Sequence, residues 1–385
     1  MSVMFSPEQD AFREEVRTWL QANAPTEERP PHGPAMREYD LAWQRTQWEG
    51  GWAGIAWPVE YGGRGLSVVE QLIWYEEYGR LDLPVIESTF VGLRHAGPTL
   101  IACGTEQQKA HHLPAILRGD VIWCQGFSEP EAGSDLAALR TSAVRDGDEL
   151  VVNGQKIWTS YGDVADWQEL LVRTSRDGTK HQGISWLICD MHTPGIDVRP
   201  IDTMDGGRDF AEVFYDDVRI PVENVVGAID DGWNVAMSTL AFERGTAFTI
   251  NQVKLSATVE RLIDEARERC GPDGRRAAIA DDEIRRELAA VRAESRALRS
   301  LTYLAVSRNL RSAVPGPDGS MLKLAYAELQ QRVGRLAMEI LGDDVLDRGD
   351  YWTRTYLTSH AASIGGGTSE IQRNIVAERV LGLPR

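Results

Sequence analysis

The residues whose types and spacing could do chemistry are concentrated between Cys124 and Asp166. The first part, Ser128-Glu129-Pro130-Glu131-Ala132-Gly133-Ser134-Asp135, combines turn formers with short hydroxyl side chains, which suits a loop whose backbone comes close to a ligand. Strands should follow. Thr141 to Arg145 and Glu149 to Val152 flank Asp146-Gly147-Asp148, and Asn153-Gly154 is expected to turn the chain into Gln155 to Ser160, giving an antiparallel meander with hairpin turns. The meander ends at Trp158-Thr159-Ser160, where a flat aromatic and two hydroxyls leave the sheet together. The plainer alternative makes the loop a surface connection and Trp158 a core aromatic.

Three regions must position these residues. Ser6-Pro7-Glu8-Gln9 carries a helix start with Ser as N-cap, Pro at the first position and Gln to close a capping box. Phe12, Val16, Trp19 and Leu20 then fall on one helical face, proline-rich Thr26 to Pro34 breaks the pattern, and a second helix carries Trp43 and Trp48. Ser67 to Gly79, Ser88 to Cys103 and Gln107 to Arg118 read as further helices, with a turn at Asp82-Leu83-Pro84. From Val121 to about Val226 the period moves towards 2, with strands at Leu170 to Arg173, Gly183 to Asp190, Ile196 to Ile201 and Phe210 to Arg219. Beyond Gly232 the helical period returns. It predicts three long antiparallel helices around Leu255, Val291 and Val333, separated at Cys270 to Gly274 and Val314 to Pro317, and a short fourth from Thr368 to Val380. The expected fold is α+β: a helical N-terminal domain (1–120), an antiparallel β middle domain (121–230) and a C-terminal four-helix bundle (231–385).

Composition narrows the function classes. A chain of 385 residues with 42% hydrophobic and 26% charged residues has room for two or three domains and a large core. No apolar run reaches about 20 residues and the N-terminus lacks an apolar leader core, so a cytoplasmic protein without membrane association is expected. Cys103, Cys124, Cys189 and Cys270 are far apart and show no C-x-x-C spacing, which favours free thiols over disulfides or a metal site. A formal charge of −17 disfavours nucleic acid and anionic membranes. A polyanionic ligand would need local basic or N–H-rich pockets.

The S-E-P-x-A-G-S-D run with the later Val152-Asn153-Gly154-Gln155-Lys156-Ile157-Trp158-Thr159-Ser160 closely resembles the middle domain of the acyl-CoA dehydrogenases. Gly367-Thr368-Ser369-Glu370-Ile371-Gln372-Arg373-Asn374 resembles the family's last helix start, and the resemblance covers essentially the whole chain. It implies FAD-dependent α,β-dehydrogenation of an acyl-CoA thioester. Such chemistry needs a base for the α-proton, a flavin for the β-hydride and donors on the thioester oxygen. By the match, Phe127 and Ser128 would bind the flavin's pyrimidine edge, Ser160 would reach its N5 side and Trp158 would cover the ring. Gln125 would face the same site, where the family often has an aromatic. Ser134 would approach the coenzyme A pyrophosphate, while Thr368 and Glu370 would touch FAD.

The resemblance also contains a departure. Most relatives carry their base as the glutamate of Tyr-Glu-Gly before Thr-Ser-Glu, but this chain has Gly365-Gly366-Gly367, and glycine cannot take a proton. A minority branch places the base in an x-E-R sequence of the first long C-terminal helix, matched here by Leu240-Ala241-Phe242-Glu243-Arg244. Glu243 is therefore the expected base and the Gly366 N–H the expected oxyanion donor, with Arg244, Gly365 and Gly367 beside the substrate; otherwise Glu243 and Arg244 form a solvated charge pair. The glycines resemble subunits that oxidise bulky steroid or branched side-chain esters, often as α2β2 heterotetramers rather than homotetramers. Residues that embrace a neighbour's FAD in homotetramers are altered: Arg267 and Gly271 remain, but Cys270 replaces an aromatic, Asp282 stands near the usual glutamine, and Glu339 and Asp343 replace Gln and Gly. An electron-transfer flavoprotein or similar acceptor is implied as partner. A non-catalytic partner-dependent subunit and an acyl-CoA oxidase remain as alternative readings.

Overall fold

Ser6 starts the first helix through reciprocal bonds. Its hydroxyl accepts from Gln9 N at 3.3 Å and Gln9 Oε1 accepts from Ser6 N at 2.9 Å, with Pro7 in the first turn. In this computed structural model, residues 5–81, 83, 88–242, 248–272, 274–309, 318–347 and 349–384 are described. The N-terminal helices are α1 (Pro7–Asn23), α2 (Gly33–Glu49), α3 (Val68–Arg80), α4 (Gly97–Cys103) and α5 (Glu106–Arg118), with a π turn at Gly92–Ala96 leading into α4. Capping boxes recur at Ser67/Glu70 and Thr105/Gln108. Helix α2 begins inside the segment expected to be a break, because Pro34 occupies its first turn, where a missing N–H costs nothing. Trp52 stacks on Trp74 (4.6 Å between ring centres) and Trp19 on Trp43 (5.7 Å), forming the aromatic heart of this region with buried Val16 and Leu20.

The middle strands are β1 (Trp123–Gly126), β2 (Ser142–Asp146), β3 (Glu149–Ser160), β4 (Trp167–Arg173), β5 (Ile184–Asp190), β6 (Ile196–Ile201), β7 (Phe210–Pro221) and β8 (Val225–Val226). They form one sheet in the order β6-β7-β3-β2-β4-β5-β8, with β1 parallel to β4. The expected hairpin turn at Asn153-Gly154 is a bulge within the continuous strand β3. Gly154 has φ +150°, and a Cβ there would lie 2.7 Å from Thr141 Cα. Asn153 meanwhile donates from Nδ2 to Asp217 Oδ1 (2.9 Å) and accepts from Asp217 N (3.0 Å). The long partner β7 pairs with both halves of β3, so tertiary pairing overrides a local turn signal.

The C-terminal region holds α6 (Gly232–Phe242), α7 (Phe248–Glu268), α8 (Asp282–Asn309), α9 (Asp318–Leu341), α10 (Tyr351–Ser359) and α11 (Ser369–Ile375). Helix α10 was absent from the expected four-helix bundle. It is short and polar, started by Asp350 accepting from Trp352 N and Thr353 N, and anchored by Trp352, which is 2% exposed. Gly334 of α9 allows its close approach, since a Cβ there would stand 3.1 Å from Tyr356 Cα. The expected break at Val314 to Pro317 and most of the turn at Asp82-Leu83-Pro84 lie outside the described residues.

Candidate active site

Strand β1 delivers Gln125 and Phe127 to the start of the Ser128–Asp135 loop, and β3 runs alongside. Two bonds lay the loop on β3: Ile157 N donates to Ser128 O (2.9 Å), and the Lys156 ammonium donates to Phe127 O (3.1 Å). Lys156 is wholly buried and also donates to Glu129 Oε1 at 2.9 Å, while the other demands of that carboxylate are met by Thr141 N (2.8 Å) and Arg140 N (2.6 Å). Burial opposes the Lys156 charge and takes its pKa down to about 8, against the pull of Glu129. For Glu129, burial acts upwards, but Lys156 and Thr141 hold the carboxyl below its usual range.

Beyond Lys156 the pairing of β3 with β7 shifts register before Thr159, and Trp158 takes φ +60°. This conformation is sparsely populated for a bulky L-residue. It turns the indole outward, 55% exposed and edge-on to Phe210 at 5.8 Å. Trp158 is not the core aromatic of the plainer reading. Thr159 is fully buried and its hydroxyl has no partner among the described residues, Ser160 is half-buried, and Tyr161 repeats the positive φ at +54°. An exposed flat ring thus stands beside a loop whose backbone is clamped.

Gln125 belongs to a polar group that sequence reasoning missed. Its Nε2 donates to Glu169 Oε1 at 2.7 Å and lies 3.2 Å from His95 Nδ1. Glu169 and His95 are buried, His95 within the π turn. Each sits alone in sequence, with no motif to announce it. Cys124 and Cys189 are buried with thiol pKa values pushed well up by burial, and all four cysteines are free. Ser134 is exposed, next to an Asp135–Lys180 ion pair of 2.8 Å.

The second group of expected residues packs on α9. Gly366 and Gly367 have φ +62° and +90°, so their glycine identity answers to backbone conformation as well as to volume. Lys323 donates to Gly367 O, and Gln372 Nε2 to Gly366 O (3.0 Å) and Gly367 O (3.1 Å). Gly365 is exposed. Thr368 caps α11 by accepting from Ile371 N at 3.3 Å. The Glu370 carboxyl is lowered first by its own backbone N–H and then by Thr368. A cleft of about 300 Å³ opens here between Gln331, Ser363, Thr368 and Glu370. No hydrogen bond or ion pair among the described residues joins this group to the Gln125–Ser160 group.

Helix α6 ends at Phe242, so the expected base Glu243 and its neighbour Arg244 lie outside the described residues. Arg267 is exposed in the last turn of α7 and paired with Asp264 at 2.6 Å, and Asp282 at the start of α8 pairs with Arg285. Cys270, Glu339 and Asp343 are exposed. Among the described residues no group of three or more His, Cys, Asp or Glu could hold a metal ion, and no helix is long and apolar enough to cross a membrane.

Helical, β and helical layers around a clamped loop and an exposed indole define a class, and comparison with known proteins agrees. The acyl-CoA dehydrogenase N-terminal, middle and C-terminal domain models match residues 6–120, 124–218 and 230–381. Acyl-CoA dehydrogenase IpdE1 of Mycobacterium tuberculosis (strain ATCC 25618 / H37Rv) is 42% identical, with 98% of both chains covered. The crystal structure of the ChsE4-ChsE5 complex from Mycobacterium tuberculosis superposes with TM-score 0.86 at 34% identity, and the Tcur3481-Tcur3483 steroid ACAD with TM-score 0.86 at 32%; each covers both chains completely. The chain belongs to the acyl-CoA dehydrogenase family. It is an oxidoreductase of acyl-CoA thioesters.

Proposed function

We propose that the chain uses FAD to desaturate the α,β bond of a bulky or branched acyl-CoA, such as a steroid side-chain ester, in the cytoplasm. The observation that carries this reading is the Lys156-clamped loop beside the outward-turned Trp158. FAD, when bound, supplies the acceptor for the β-hydride. Phe127, Ser128 and Gln125 would hold one edge of its ring system, Ser160 the other, and Trp158 would cover its face. The fit rests on the 55% exposure of the indole and on the half-buried hydroxyl residues near it, Ser128, whose carbonyl accepts from Ile157 N, and Ser160. Thr368 and Glu370 would meet FAD at the start of α11, and Arg267 would do so from α7. Glu243 takes the α-proton, and the Gly366 N–H donates to the thioester oxygen as negative charge grows there. Arg244, Gly365 and Gly367 border the acyl group, and Ser134 the pyrophosphate. The steroid ACAD among the structural relatives and the absence of side chains at 365–367 both support a large acyl group.

The test is Glu243→Gln, which keeps shape but removes the proton acceptor. Anaerobic flavin bleaching by a panel of short, branched and steroidal thioesters should slow by about 10²–10⁴-fold. Rates within about threefold of wild type would move the base elsewhere and bring forward the non-catalytic-subunit reading.

Assembly follows from charge. Glu339 and Asp343 are exposed carboxylates at the positions expected to meet a neighbour's FAD, and carboxylates repel a pyrophosphate. An α2β2 heterotetramer is therefore favoured over a homotetramer, with an electron-transfer flavoprotein as electron acceptor. Native mass spectrometry of the chain expressed alone should show less than one FAD per subunit. A stable homotetramer carrying one FAD per chain would refute the heteromer.

A further inference from the structure

The chain as a whole carries a charge of −17, yet one cleft is lined by cations without a single acid. Arg140, Arg173, Arg176 and Lys180 border about 380 Å³ of open space together with Leu139 and Thr179, a volume within the range of small-molecule sites. The cleft is built rather than incidental. Arg173, at the end of β4, donates to Ala137 O (2.7 Å), Lys180 O (3.2 Å) and Gln182 O (2.7 Å), which fastens the turn after the Ser128–Asp135 loop to the β4–β5 connection. Its own guanidinium is consumed in that task. Arg140 and Arg176 are different: both are exposed, and neither guanidinium makes a hydrogen bond among the described residues. Lys180 is drawn to the rim by Asp135 at 2.8 Å.

Like charges held together repel, and the repulsion leaves a trace. The Arg173 guanidinium is pulled below its ordinary value, first by burial and then by Arg176. Asp135 pairs with Lys180 at the rim and the charge of Glu129 partly offsets the repulsion at Arg173, but no carboxylate lines the cleft beside Arg140 and Arg176. An anion entering it would relieve the repulsion and meet fork-shaped donors suited to phosphate oxygens. Asp135 directly follows Ser134, so the cleft flanks the position assigned to the coenzyme A pyrophosphate.

We infer that Arg140 and Arg176, with Lys180 at the rim, bind the 3′-phosphate at the nucleotide end of the coenzyme A carrier. This rests on the acyl-CoA reading and specifies which part of the substrate is held where. The handle is common to every acyl-CoA, so the cleft contributes affinity without choosing the acyl group.

The experiment is calorimetric titration of the purified protein with coenzyme A, 3′-dephospho-coenzyme A, 3′,5′-ADP and inorganic phosphate, repeated on Arg140→Gln/Arg176→Gln. Coenzyme A should bind about tenfold or more tightly than the dephospho form, the scale of charge-assisted hydrogen bonds, and the double variant should lose that difference. The 3′,5′-ADP should compete with coenzyme A, and inorganic phosphate should compete far less. Equal affinity for the two carriers, discrimination that survives in the double variant, no binding of coenzyme A, or inorganic phosphate matching 3′,5′-ADP would each overturn the inference. Anaerobic bleaching separates it from the proposed function. Carrier discrimination in a protein whose flavin no thioester reduces would sink the dehydrogenase reading alone; bleaching by coenzyme A and dephospho-coenzyme A thioesters at the same half-saturating concentration would sink the phosphate site alone.

Discussion

Single residues here show how burial and backbone angle decide chemistry that residue type leaves open. Trp158 holds a surface ring on a backbone at φ +60°, and Gly366 with φ +62° adopts its angle at no steric expense. Placing glutamate at 366 to imitate the majority of the family would add left-handed strain of about 1–2 kcal/mol to any gain in catalysis. His112 illustrates burial. It is 6% exposed, edge-on to Trp123 (5.2 Å) and Trp167 (4.8 Å), and burial, with His111 adding, lowers its pKa to about 4. In the unfolded chain it titrates near 6.5, so between about 6.5 and 4 the unfolded state binds more protons and stability falls as pH drops. The wild type should lose up to about 3 kcal/mol across that window relative to His112→Gln, as read from urea midpoints at pH 7 and pH 4.5. Parallel losses in the two proteins would show that His112 does not titrate in this way.

At the scale of elements, the candidate active-site surface depends on how β3 is tied to the loop after β1. Lys156 and Glu129 form that tie, and both are buried, so removing one partner strands the other's charge. Lys156→Met should destabilise the protein by about 3–5 kcal/mol. The double change with Glu129→Gln should cost less than the sum of the two single changes, since the uncompensated carboxylate disappears. A denaturant double-mutant cycle measures this. Strict additivity would mean that the two side chains act independently. The same tie places Phe127 and Ser128 beside Trp158-Thr159-Ser160, so it brings two sequence motifs side by side.

The whole molecule is held together across its helical regions by a buried charge network. Glu76 and Glu77 of α3, each 1% exposed, receive Arg13 (2.8 and 2.6 Å) and, at Glu77, Arg17 (2.9 Å) from α1 and Arg80 (2.7 Å). From α8 come Arg299 at 3.4 Å and the Tyr303 hydroxyl, both to Glu76. This ties the N-terminal helices to the C-terminal bundle. Tyr303→Phe removes a neutral donor from a buried carboxylate and should cost about 1–3 kcal/mol in unfolding free energy, with faster amide exchange in α3 and α8. Unchanged exchange in both helices would show that Arg299 and the arginines of α1 and α3 suffice.

Much of this was legible in the sequence where the signal is local. The capping box at Ser6 rests on contacts three residues apart, and the periods of 2 and 3.6 report which face a strand or helix buries; the boxes at Ser67 and Thr105 emerged only with the structure. The loop and strand motifs likewise identified the family and the residues expected to meet FAD. Only the tertiary structure decided the rest, because those features depend on partners distant in the chain. Asn153-Gly154 became a bulge because β7 pairs along the whole of β3, and Pro34 became the start of a helix rather than a break. Gln125 acquired Glu169 and His95 as partners from a strand and a π turn far from it in sequence. The cationic cleft is the same case: Arg140 and Arg176 are 36 positions apart, and it is Arg173, spending its donors on backbone carbonyls, that brings their segments together.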